Sequence, residues 1–123
     1  MSVPKISDAE WQVMDVLWTN SPATAGEVVD ALGPKSGWSP RTVKTMLGRL
    51  VKKKALRFQT EGNRYLYRPA VSRDECTRVE SDSFLSRVFG GEAGPMLVHF
   101  VNEAKLSEAD IRELKRVLAR KGK

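Results

Sequence analysis

A chain of 123 residues with 41% hydrophobic and 29% charged positions has a folded-protein composition, sized for one ordinary domain or two small ones. Its net charge of +6 is unevenly spread: residues 1–34 carry one Lys against five acids, residues 35–73 carry eleven Lys/Arg against Glu61 alone, and residues 74–123 carry nine of each sign. No apolar run of about 18 residues exists, the start lacks a leader pattern, and the single cysteine, Cys76, has no internal disulfide partner. A membrane-spanning helix and export are therefore not expected, and a cytoplasmic location is.

Ser7 and Glu10 have the spacing of a capping box and predict a helix to about Thr19, with Trp11, Met14, Leu17 and Trp18 on one stripe. Thr24 and Glu27 repeat the spacing for a short second helix that turns Val28, Val29 and Leu32 inward. Gly33-Pro34 is expected to close it, leaving residues 35–38 as a loop. Ser39-Pro40 places an N-cap serine before a proline at the first helical position and opens a third helix, whose surface runs from Arg41 to Lys53.

In that third helix Val43, Met46, Leu47, Leu50 and Val51 make a buried face. At roughly 100° per residue, Arg41, Thr45, Gly48 and Lys52 point the opposite way, flanked by Thr42, Lys44, Arg49 and Lys53. Leu56, Phe58, Tyr65 and Tyr67 then alternate as strands should, around a turn at Glu61-Gly62-Asn63, and Pro69 stops the second strand.

Ser72 and Glu75 cap a helix to about Phe89, with Val79, Phe84, Leu85 and Val88 apolar, and Gly90-Gly91 breaks it. A helix over about Gly94 to Ala104 carries Met96, Leu97, Phe100 and Val101. Ser107 with Asp110 caps a last one, striped by Ile111, Leu114, Val117 and Leu118.

The expected fold is mainly α with a small β-hairpin wing: a winged helix-turn-helix domain over residues 1–71, then a three-helix domain over residues 72–123. Roughly 50 residues in three amphipathic helices are marginal alone, so the second domain is expected to make a homodimer through Phe84, Leu85, Met96, Leu97, Phe100, Val101, Ile111, Leu114 and Leu118. The charge excess and the basic third helix point to double-stranded DNA. Thr42, Lys44, Thr45 and Arg49 are expected to reach base edges or nearby phosphates. Arg41, Lys52, Lys53 and Arg57 are expected to hold phosphates, with Arg64 and Asn63 in the wing against the backbone. Gly48 permits close approach either to DNA or to the first helix. Trp11, Trp18 and Trp38 are expected as core or loop anchors. The competing reading is a winged helix that docks an acidic protein partner without reading sequence.

Reactive groups are scarce. His99 is the lone histidine, beside apolar neighbours, and Cys76 lies among Asp74, Glu75 and Glu80, which should raise its thiol pKa. There is no CxxC, no HExxH and no phosphate loop, so neither an enzyme, a cofactor nor a metal is expected.

The segments ISDAEWQVMDVLW, ATAGEVVDAL, GWSPRTVKTMLGRLVKKKAL, YLYRPAVSRDE, SFLSRVFGG and LVHFVNEAKLSEADIRELKRVL resemble, in order and nearly end to end, the penicillinase and methicillin-resistance repressors, the BlaI/MecI family. The resemblance implies a dimeric transcriptional repressor bound to a palindromic operator. It also implies relief by proteolysis just before a phenylalanine, here the His99–Phe100 bond, set off by a membrane sensor-peptidase or a protease downstream of it. Lys54 departs from the family's glycine, a residue suited to a left-handed helix end, so the third helix is expected to end differently. His99 stands where the antibiotic-resistance members often carry asparagine. The family's copper-responsive branch has clustered cysteines in its tail, and RVLARKGK has none.

Overall fold

Five of the six described helices begin where a polar side chain satisfies a free amide, and the exception is the helix after Glu92, which has no side-chain cap. In the computed structural model, which describes residues 3–122, Ser7, Thr24, Ser72 and Ser107 each exchange side-chain and backbone hydrogen bonds with an acid three residues on. The resulting order is α1 (Asp8–Thr19), α2 (Ala25–Ser36), α3 (Pro40–Lys52), β1 (Leu56–Glu61), β2 (Arg64–Pro69), α4 (Arg73–Phe89), α5 (Ala93–Glu103) and α6 (Glu108–Lys121). This is the mainly α, winged helix-turn-helix architecture that the sequence predicts.

One boundary differs. α2 does not close at Gly33-Pro34 but continues to Ser36 with Pro34 inside it. Proline forgoes the bond its amide would give to the carbonyl four residues back and crowds that carbonyl, so other bonds must hold the last turn. Ser36 Oγ donates to Leu32 O at 2.9 Å, and the Gly37 amide donates to Gly33 O at 3.0 Å, so the last turn stays bonded. Gly37 then ends it in the left-handed region at φ 71°.

The structure divides into two units, Met1–Ser81 and Asp82–Lys123, inside α4. The expected boundary is 71/72, just before the Ser72 cap. The first turns of α4 belong with the N-terminal unit because Cys76 is buried among its core residues. Three contacts on α1 add to this: Trp18 Nε1 donates to Val71 O at 2.9 Å, Arg73 pairs with Asp15 at 2.6 Å, and the Arg73 guanidinium lies over the Trp18 ring.

In the N-terminal unit the core is the meeting of α1, α2 and α3, with Val13, Met14, Leu17, Val28, Val43, Leu47 and Leu50 buried. The hairpin pairs in antiparallel register from Leu56↔Pro69 to Glu61↔Arg64. It is tied to the body by a bridge that periodicity does not reveal: Ala23 and Tyr67 exchange both backbone bonds, at 3.1 and 2.8 Å. Trp11, Trp18 and Trp38 pack half-buried against the core, as anchors should.

In the C-terminal unit α4 is followed by Gly90 and Gly91, both at positive φ, which make the break that leads into α5. Phe84 stacks on Phe100 at 5.8 Å between ring centres, and Phe89 lies 6.0 Å from His99. No described side chain in this unit is fully buried.

Candidate nucleic-acid interface

α3 is built to show one face. Ser39 Oγ accepts from the Thr42 amide at 3.2 Å, and Pro40 fills the first helical position, where no amide is needed. Four apolar side chains, Val43, Met46, Leu47 and Leu50, then anchor the helix in the core. Arg41, Thr42, Lys44, Thr45, Arg49 and Lys52 are all exposed, and the helix contains no carboxylate. Thr45 Oγ1 donates back to Arg41 O at 3.0 Å, which satisfies the hydroxyl and leaves the methyl for apolar contact.

Gly48 lies at the centre of that exposed face. A Cβ added there would meet no atom within 4 Å, so packing on α1 does not require the glycine. Glycine inside a helix costs about 1 kcal/mol relative to alanine.

Shallow grooves run along both flanks of α3. Pro40 and Lys44 line one together with Val29 and Asp30 of α2 and with Asn63, Arg64, Tyr65 and Tyr67 of the wing. Arg41, Thr42, Thr45 and Arg49 line the other together with Ala9 of α1 and Trp38. Sequence periodicity places the lysines and arginines but not Trp38 or Tyr65, which reach these grooves only because the loop and the wing fold beside α3. On the wing, Arg57 and Arg64 are exposed, and Arg64 pairs loosely with Glu61 at 3.3 Å. Phe58 and Tyr65 stack at 4.6 Å while staying about half exposed.

Lys53 is placed differently from the other cations. As the C-cap of α3 it donates to the Glu10 carboxylate at 2.5 Å and to Lys5 O at 2.9 Å. It therefore ties α3 to α1 instead of projecting freely, and Glu10, 3% exposed, is its buried counter-charge. Burial pushes the Glu10 carboxyl up, but the Lys53 ammonium and the Ser7 donors outweigh it and hold the pKa below its ordinary 4.5.

Lys54 takes the left-handed conformation, φ 70°, and its amide and that of Ala55 bond back to Val51 O and Leu50 O. The helix thus ends in the left-handed manner that a glycine would serve, and the expected difference does not arise. The tight return into β1 is imposed by the buried Ala55 and Leu56 that follow.

Of the side chains expected to join two copies, Phe84, Leu85 and Met96 are half-buried, while Leu97, Phe100, Val101, Ile111, Leu114 and Leu118 are exposed, Leu118 by 62%. His99 and Phe100 are consecutive exposed residues within α5. The Cys76 thiol is pushed up first by burial and then by Glu75 and Glu80, so the acidic helix is the lesser cause. Among the described residues no cluster of three or more His, Cys, Asp or Glu side chains is placed to hold a metal, and no helix is long and apolar enough to cross a membrane.

A winged helix with a cationic third helix and a basic wing defines the class of DNA-binding transcriptional regulators. The penicillinase repressor family matches residues 6–120, and the chain belongs to it. It is 40% identical over 116 residues to the penicillinase repressor of Bacillus licheniformis, a match covering 94% of this chain and 91% of that one. The methicillin resistance regulatory protein MecI of Staphylococcus aureus strain N315 is 29% identical, with 95% of each chain covered. The solution structure of the Bacillus licheniformis BlaI monomeric form in complex with the blaP half-operator is similar at 43% identity and a TM-score of 0.54, over 60% of this chain and 90% of that one. The protein is accordingly a DNA-binding transcriptional repressor and not an enzyme.

Proposed function

We propose that the protein represses as a homodimer, holding two copies of α3 in successive major grooves of an inverted-repeat operator with each wing against the adjoining backbone. The observation that carries this reading is the exposed side of α3, a run of cations and hydroxyls without a single carboxylate. Residues 1–71 carry the DNA contacts, and residues 72–123 hold the second copy, so each half-site adds the other's affinity. Arg41, Thr42, Lys44, Thr45, Arg49 and Lys52 face the duplex, Arg57 and Arg64 extend the contact through the wing, and Lys53 serves mainly by fixing α3 on α1.

Release follows hydrolysis of the His99–Phe100 bond by a membrane sensor-peptidase or a protease acting after it, in the cytoplasm. Support for this comes from α5, which has no buried side chain and so can open locally at little cost. The cut would remove Phe100, Val101 and all of α6 from the exposed apolar stripe.

Selection from random duplexes should enrich a short inverted repeat. Affinity for that repeat should fall about a thousandfold between roughly 50 and 200 mM salt, the response of about six phosphate contacts per dimer. A flat salt response, or enrichment of no repeat, rejects the reading.

A further inference from the structure

We propose that Gly48 is the point of closest approach between the repressor and DNA, so that this position sets how deeply α3 enters the major groove. The inference rests on the groove-entry reading above. Three observations lead to it. First, Gly48 sits with Lys52 on the crown of the exposed face, opposite the buried Val43, Leu47 and Leu50. Second, grooves lie on either side of that crown, one lined by Lys44 and the wing, the other by Arg41, Thr45, Arg49 and Trp38. A major groove is bounded by two phosphate strands, so a helix whose flanks accept one strand each points its crown at the base edges. Third, nothing within the chain calls for glycine there: its backbone is helical, and a Cβ would meet no atom within 4 Å. Alanine would favour the helix more. A side chain there would meet only what lies outside the chain, and on the crown that is the floor of the groove.

The test is Gly48→Ala in the full chain, with thermal unfolding measured beside binding to the selected repeat and to an unrelated duplex. The melting temperature should rise by about 3–6 °C, because helix propensity improves without a clash. Affinity for the repeat should fall about tenfold, the scale of losing one base pair's readout. Affinity for the unrelated duplex, held through phosphates, should change less than twofold. A stabilised variant that binds the repeat as tightly as the parent overturns the proposal. So does an equal loss on both duplexes, which would place the effect on the backbone contacts. If the parent chain selects no repeat, the groove-entry reading itself fails; if it does and only the Gly48→Ala result departs, the failure is confined to Gly48.

Discussion

The N-terminal unit closes its apolar surface on itself, and the C-terminal unit does not. In the first, α1, α2, α3 and the hairpin surround Val13, Met14, Leu17, Leu47 and Leu50, all fully buried, and even the first turns of α4 contribute Cys76. In the second, α5 and α6 have no buried residue, and Leu97, Val98, Phe100, Val101, Ile111 and Leu118 remain open to solvent. A three-helix stretch of this size has too little interior to shield both sides of each helix. The contrast teaches a division of labour: one unit presents a rigid polar face, and the other keeps an apolar face for covering by something else, here proposed to be a second copy.

The strongest way to break this comparison is to charge the open face. Leu114→Asp with Leu118→Asp should leave the N-terminal unit's unfolding unchanged but convert a dimer to a monomer in sedimentation. Operator affinity should then fall roughly 10²–10⁴-fold with the loss of linked half-sites. A chain ending at His99 should behave in the same way. Unchanged sedimentation of the double variant would show that this face is not the dimer contact.

The converse change tests the closed unit. Leu47→Ala removes a fully buried side chain and should destabilise by about 2–5 kcal/mol in denaturant unfolding. Ala substitution at the open Leu97 should by contrast cost well under about 1 kcal/mol in a chain kept monomeric.

A smaller effect concerns the link between α1 and α3. Glu10→Gln leaves the Lys53 ammonium without its buried counter-charge and should cost about 1–3 kcal/mol. The same carboxyl predicts the acid side of the stability profile. Its folded pKa lies below 4.5, so the unfolded chain takes up the proton first as pH falls. The contribution is complete above 4.5 and is lost as pH drops through the lower folded value. In Glu10→Gln this part of the acid dependence should be missing from urea unfolding measured across pH. The smallest expected change is Lys54→Gly, which relieves a left-handed backbone at a residue with a Cβ and should stabilise by about 1 kcal/mol.

Much of the fold was legible because its signals are local. Ser7/Glu10, Thr24/Glu27, Ser39-Pro40, Ser72/Glu75 and Ser107/Asp110 announce helix starts within four residues, and the wing follows from alternation around a glycine turn. Pro34 misled because proline weakens a helix without always ending it, and here the Ser36 hydroxyl and the Gly37 amide bond back across it. The cationic face of α3 was equally legible, being a matter of roughly 100° per residue.

The sequence by itself determined the helices, the hairpin, the place of the positive charge and the family, since each depends on neighbours along the chain or on an ordered set of segments. Tertiary structure alone decided what each exposed group can reach. It removed Lys53 from the free cations by setting Glu10 beside it, brought Trp38 and Tyr65 into the grooves beside α3, and forced Lys54 into a left-handed turn. It also separated the two meanings of Gly48, since only the folded chain shows that no atom of α1 lies near it. The physical reason is one of range: caps and periodicity act over a few residues, whereas a buried ion pair or an empty volume depends on segments tens of residues apart.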